Sequence, residues 1–174
     1  MSPRQRRLLA DLQQMQELVS RDERVSFHAE GHPPEVYHLL LNRLGLARQG
    51  HGDLVLRHVH RFSVYLHLDY PRRPPQFSWL TPIFHPNILP PERNGGVCIG
   101  VWSASESLVD LVLRVAAMVE YRSFNPDDAL DPEAAAWVRA NDVRPGADLT
   151  QIVRHHGSSI GDEGLVVLTA RGSV

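Results

Sequence analysis

Leu54-Val55-Leu56-Arg57-His58-Val59-His60-Arg61-Phe62-Ser63-Val64-Tyr65-Leu66-His67-Leu68-Asp69-Tyr70 is the stretch that decides the architecture. Phe62, Val64, Leu66 and Leu68 alternate with Arg61, Ser63, Tyr65 and His67, the two-residue period of a strand with one dry and one wet face. The run before it, Glu35 to Ala47, has helical propensity in Val36-Tyr37-His38-Leu39-Leu40-Leu41. Its link to the next run is the turn-rich Gln49-Gly50-His51-Gly52-Asp53, so an antiparallel pair is the better reading. Upstream, Val25 to Glu30 forms a short strand that His32-Pro33-Pro34 stops, because proline offers no ladder donor. Downstream, Tyr70-Pro71-Arg72-Arg73-Pro74-Pro75 breaks the sheet, and Gln76 to Leu80 supplies a further strand before Pro82.

Helical spacing flanks this meander. From Arg4 to Val19, Leu8, Leu9, Leu12, Met15, Leu18 and Val19 mark one face of an amphipathic helix. Leu108, Leu111, Val112, Val115, Met118 and Val119 mark a second helix, apolar on nearly all sides and therefore central and buried. Asn125-Pro126-Asp127-Asp128 ends it, and Asp131-Pro132-Glu133 carries the cap and first-turn proline of a third. Beyond Asn141 the pattern weakens to a short helix over Asp148 to His156 and a strand over Gly164 to Ala170. Between sheet and central helix, Ile83 to Ser107 has no period and is rich in proline and glycine. Phe84, Ile88, Val97, Ile99, Val101 and Trp102 argue against disorder there, and a long irregular segment inside a domain is a place for function.

The 174 residues are 43% hydrophobic and 22% charged, with a formal net charge of −2, the profile of a single domain that folds on its own core. No apolar run approaches the roughly 20 residues of a membrane span. The opening Met1-Ser2-Pro3-Arg4-Gln5-Arg6-Arg7 puts charge where a secretory signal needs an apolar block, so a cytoplasmic protein without a membrane partner is expected. A pI near 6.5 leaves no basic footprint for nucleic acid. The one cysteine, Cys98, excludes intrachain disulfides and Cys-pair zinc sites. His58 and His60 share a strand face, but two ligands are too few for a metal and they read as a solvated face; no metal or cofactor is expected. All 18 Lys+Arg positions are arginine, although lysine is ordinarily among the commonest residues. The codon bias of a GC-rich genome and a surface on which primary amines are harmful are both open explanations.

A lone thiol is by itself a small buried hydrophobe. Cys98, however, follows Asn94-Gly95-Gly96-Val97 and shares its irregular segment with His85-Pro86-Asn87, a polar loop setting in which reactive thiols occur. The ordered series Tyr70-Pro71-x-x-Pro74-Pro75, Phe84-His85-Pro86-Asn87-Ile88, Gly96-Val97-Cys98, Trp102-Ser103 and Asn125-Pro126-Asp127-Asp128-Ala129-Leu130 resembles the ubiquitin-conjugating (E2) enzymes, over Arg4 to Asn141. The resemblance implies the α+β UBC (E2) fold: N-terminal helix, four-stranded antiparallel meander, irregular active-site segment, central helix and C-terminal helix. It implies a catalytic core over 1–143 and a divergent C-terminal extension over 144–174.

It also implies roles. Cys98 would accept a ubiquitin-like protein as a thioester from an E1-like activating enzyme and pass it to an amine on a protein acceptor. Asn87 would stabilise the oxyanion through its side-chain NH₂, or hold the loop that does so. Asp128 would orient and help deprotonate the incoming amine. His85, Pro86, Gly96 and Trp102 would support the site, Trp102 as core packed beside it. Bacterial chains of this kind resemble those of antiphage conjugation operons, where a deconjugating protease of the same system is a further partner. Departures are visible. The stretch from Asn87 to Cys98 is longer than usual, and that from Cys98 to Trp102 is shorter by a similar amount. Gly100 stands where many members carry Asp. Arg72 and Ser103-Ala104-Ser105 speak against recognition by RING-type E3 ligases. The alternatives are a non-catalytic E2-like or RWD-like binding module, which Cys98 disfavours, and a thiol hydrolase pairing Cys98 with His85, which lacks a recognisable orienting residue.

Overall fold

The computed structural model describes residues 1–49 and 52–156. Helix α1 (Pro3–Arg21) opens on a capping box in which Ser2 and Gln5 satisfy each other's backbone N–H. Strands β1 (Val25–Gly31), β2 (Pro34–Gln49), β3 (Asp53–Tyr65) and β4 (Gln76–Trp79) follow. They form one antiparallel sheet in the order β1-β2-β3-β4. The run Glu35 to Ala47 is strand, because pairing with β3 from Val36↔Tyr65 to Gln49↔Asp53 outweighs its helical propensity. The irregular segment comes next, and then α2 (Leu108–Val119), α3 (Pro132–Ala140) and α4 (Leu149–His156). The UBC architecture expected from the sequence is therefore present. The strand expected over Gly164 to Ala170 lies outside the described residues.

α1 and α2 pack on the inner sheet face. Leu8 and Met15 of α1 and Leu108, Val112, Val115 and Val119 of α2 meet Tyr37, Leu39, Leu41, Phe62, Val64 and Trp79 in one core. A second cluster gathers Leu46, Phe84, Tyr121, Ala134, Val138, Val143 and Leu149 where α3 and α4 close the far end.

One polar group is sunk into the first core. Asp11, on the apolar stripe of α1, is 1% exposed. Its Oδ1 accepts the N–H of Leu108 at 3.0 Å, at the start of α2, and its Oδ2 accepts the Tyr70 hydroxyl at 2.7 Å and Arg7 Nε at 2.9 Å. The carboxylate is thus satisfied on both oxygens and sits at the positive end of the α2 dipole.

Two details differ from the alternation in the sequence. Leu68, expected on the dry face, is 78% exposed, because pairing ends at Tyr65 and the chain turns over His67 to Arg73. His60, expected in a solvated face, is fully buried. Gly45 of β2 makes room for its ring: a Cβ there would stand 3.0 Å from His60 Nε2. Among the described residues no group of three or more His, Cys, Asp or Glu is placed to hold a metal, and no helix is long and apolar enough to cross a membrane.

Burial pushes the His60 imidazole down to about 4, and that of His85 down to about 3. The unfolded chain takes up protons near 6.5 while the folded chain does not, so stability is complete above pH 6.5 and is lost as pH falls toward 4. For His60 alone the loss is on the order of 3 kcal/mol. Urea titrations from pH 7.5 to 4.5 should show a falling midpoint, and His60→Phe should remove a large part of the decline.

Candidate active site

The irregular segment folds back on itself beside α2. Asn94 (φ 72°) and Gly95 (φ 64°) turn the chain after a 3₁₀ turn at Pro91–Arg93. Gly95 is required: a Cβ there would lie 2.5 Å from the carbonyl oxygen of Trp79. The returning arm then pairs with the outgoing one, Leu89 N–H to Gly96 O at 2.8 Å and Cys98 N–H to Asn87 O at 2.9 Å. The extra residues before Cys98 are absorbed in that turn, and Cys98 is fixed by its own backbone against Asn87.

Asn87 is 3% exposed, and its carboxamide is fully engaged. Nδ2 donates to the carbonyls of Asn125 and Asp128, both at 2.9 Å, and Oδ1 accepts the Asn125 N–H at 2.7 Å. Of the two roles considered for Asn87, this geometry is that of a residue holding a loop. Both amide hydrogens already have acceptors, so none points free toward a carbonyl on Cys98.

The held loop carries Asp128. Its side chain is exposed, and Oδ2 stands 3.9 Å from Cys98 Sγ. Cys98 itself is partly exposed. The two line a cleft of about 140 Å³ with Asn87, Ile99, Gly100, Arg114, Met118, Ser123, Phe124 and Asn125. Its walls are apolar at Ile99, Met118 and Phe124, and its mouth is acidic at Asp128. An alkyl amine fits that combination, stem against the apolar wall and nitrogen at the carboxylate.

His85 is turned away from this chemistry. It is fully buried, its ring 4.9 Å from that of Tyr121, and its Nδ1 accepts the Asn87 N–H at 3.0 Å. Burial keeps it neutral, against a smaller opposing pull from the backbone of Met118 and Ser123. The Cys-His hydrolase arrangement is absent, since the ring nitrogen that accepts is committed to Asn87. Pro86 is buried as well, and its carbonyl accepts the N–H groups of Leu130 at 2.8 Å and Asp131 at 2.9 Å, tying the segment to the start of α3. Gly96 lies in the paired arms. Trp102 is half-buried beside Tyr70, with Nε1 donating to Pro71 O at 2.8 Å.

Arg114 belongs to the site although no motif in the sequence marks it. It is the lone cation in the apolar run of α2, which was the available signal. Its Nη1 donates to the carbonyls of Ile99 at 3.0 Å and Val101 at 3.1 Å, and its Nη2 pairs with Glu106. It therefore braces the shortened segment after Cys98. Gly100 (φ 73°) meets nothing within 4 Å, so its requirement is conformational.

The chain is similar to known proteins in family and fold. The family model described as ubiquitin-conjugating enzyme matches residues 49–149, more than half of the chain. The Arabidopsis thaliana protein named "Probable ubiquitin-conjugating enzyme E2 31" is 32% identical over 83 residues, covering 45% of this chain and 51% of that protein. The chain thus spans about half the length of this curated relative. The E2 domain of a Toxoplasma gondii ubiquitin-conjugating enzyme superposes with a TM-score of 0.57 at 24% identity, over 87% of this chain and 92% of that one. A Trypanosoma cruzi protein described as a ubiquitin-conjugating enzyme gives 0.60 at 21% identity, over 88% and 97%. At these identities the likeness of the two structures is one of fold.

Asn87→Ala should lower stability by roughly 3 kcal/mol, because it leaves the Asn125 N–H and two carbonyls without partners. Asn87→Asp should be worse, because it turns two donors into acceptors facing carbonyls. Denaturant melts of both variants read this directly, and an Asn87 whose only business was an oxyanion would leave both melts unchanged.

Proposed function

The chain belongs to the ubiquitin-conjugating enzyme family, and on that premise we propose that it carries a ubiquitin-like protein as a thioester on Cys98 and transfers it to an amine. The observation that carries this reading is the pair at the mouth of the cleft: a partly exposed Cys98 sulfur with the Asp128 carboxylate 3.9 Å away. In the first step the Cys98 thiolate attacks the modifier's thioester on an E1-like enzyme, and the E1 thiolate leaves. In the second, an acceptor amine attacks the carbonyl on Cys98, the C–N bond forms and the C–S bond breaks. Asp128 attracts the ammonium form, orients it, and takes up or passes on its proton. Asn87 acts through position, keeping the Asp128 loop against the Cys98 arm.

The same resemblance extends the proposal to a bacterial antiphage conjugation operon that also encodes a deconjugating protease. Protection restored by the wild-type chain should be lost with Cys98→Ala in phage plating assays.

Charging tests the chemistry. With ATP, a charged E1 and the modifier of its own cell, the wild-type protein should form an adduct that dithiothreitol removes. Cys98→Ala should form none, and Cys98→Ser should form an ester that resists the thiol. Asp128→Asn should charge normally yet discharge onto free lysine more slowly, by roughly 10²-fold. A wild-type chain that stays uncharged beside a charged E1 would leave the binding-module reading in its place.

A further inference from the structure

Among the described residues, the cation that lines the Cys98 cleft and those that pair with the acidic residues on either side of Asp128 are all guanidiniums. Arg114 lines the cleft and pairs with Glu106. Arg139 Nη2 reaches Asp127, the neighbour of Asp128, at 2.8 Å and the carbonyl of Pro126 at 2.7 Å. Arg93, on the turn that leads into Cys98, holds Asp131 Oδ2 at 2.9 Å. The contacts of Arg93 and Arg139 are each made by a single nitrogen, and a lysine ammonium could make them. What a lysine would add is a nucleophile. At any working pH a lysine ammonium, with a pKa near 10.4, holds far more free base than a guanidinium, which stays protonated. The whole chain follows the local pattern, since none of its 18 Lys+Arg positions is lysine.

We propose that the chain is a lysine-free carrier: an acyl group held on Cys98 finds no side-chain amine on its own enzyme to which it could be lost. The inference rests on the reading of Cys98 as an acyl carrier and adds where the acyl group cannot go. The step denied is intramolecular S→N transfer, in which a free amine attacks the thioester carbonyl, a C–N bond forms, the C–S bond breaks, Cys98 leaves as thiolate and the amine proton passes to solvent. Arginine at 93 and 139 supplies the charge that meets Asp131 and Asp127 without opening that route.

The test needs no E1. The full-length protein is incubated with excess peptide α-thioester, so that the Cys98 thiolate takes the acyl group and the small thiol leaves, and intact masses are read before and after dithiothreitol. Wild type should return to its starting mass, apart from any peptide that mapping places on the Met1 α-amine. Arg93→Lys and Arg139→Lys should keep a thiol-resistant peptide adduct that maps to the new lysine and vanishes when Cys98→Ala is added. Its rate should rise about tenfold per pH unit between pH 7 and 9, following the free amine. Arg21→Lys, exposed on the last turn of α1 and outside the cleft, should stay clean. The proposal fails if wild type accumulates a Cys98-dependent, thiol-resistant adduct on a side chain. It fails equally if folded Arg93→Lys and Arg139→Lys proteins stay as clean as wild type. A wild-type chain that takes no peptide on Cys98 overturns this proposal and the carrier reading together, whereas one that takes peptide but is never charged by an E1 loses only the E2 reading.

Discussion

The buried carboxamide of Asn87 sets the distance between the thiol and the carboxylate. Its side chain fixes the Asn125–Asp128 loop through three hydrogen bonds, while its main-chain carbonyl fixes the Cys98 arm through a fourth. Two loops that belong to different parts of the sequence are thereby referred to one residue, and the 3.9 Å between Cys98 Sγ and Asp128 Oδ2 follows from that. Donors committed in this way cannot also serve a developing oxyanion. A carbonyl on Cys98 would meet a loop that Asn87 has shaped, not the Asn87 amide itself.

A clasp of this kind needs a rigid floor, and the residues beneath Asn87 supply it. His85 accepts the Asn87 N–H, Tyr121 packs on His85 and donates to the Phe84 carbonyl at 2.5 Å, and Pro86 accepts from the first residues before α3. A charged His85 could not accept that bond, so the burial that keeps it neutral belongs to the geometry of the site. From the other side, Asp11 anchors the first turn of α2 and so fixes the helix from which Arg114 reaches the Cys98 segment. Asp11 and Arg7 form a buried pair whose worth lies in this registration more than in net stability, since desolvation offsets much of the attraction.

The regular part of the fold was legible because its signals are local. Period two in Arg61 to Leu66, the turn around Gly52 and the cap at Asp131-Pro132 each specify an element without knowledge of the rest. Leu68 and His60 were misplaced for opposite reasons. Alternation says nothing about where pairing stops, which moved Leu68 into water, and a histidine reads as polar until the glycine that makes room for it is found on a neighbouring strand. In the site, motif order pointed to Cys98, Asn87 and Asp128 and not to how they meet. The hydrogen bonds of Asn87 join residues 38 and 41 positions apart, and no spacing rule reaches that far. Arg114 was hidden for a related reason, because a cation in an apolar helix is only an exception to a pattern until the loop that it braces is known.

The redistribution of length around Cys98 explains part of the arginine content, and the part that it leaves is informative. A lengthened approach can close on itself, and does so through the Asn94-Gly95 turn. A shortened exit cannot, so the carbonyls of Ile99, Val101, Ala104 and Glu106 have to be met by side chains. Arg114 meets the first two, and Arg7 meets the last two while also binding Asp11 and stacking on Tyr70. Only a planar fork with five donors can divide itself among so many acceptors, so at positions 7 and 114 hydrogen-bond geometry alone selects arginine over lysine. At positions 93 and 139 a single nitrogen makes every contact, and geometry makes no such selection. There the difference between the two side chains is chemical: one can attack a thioester and the other cannot.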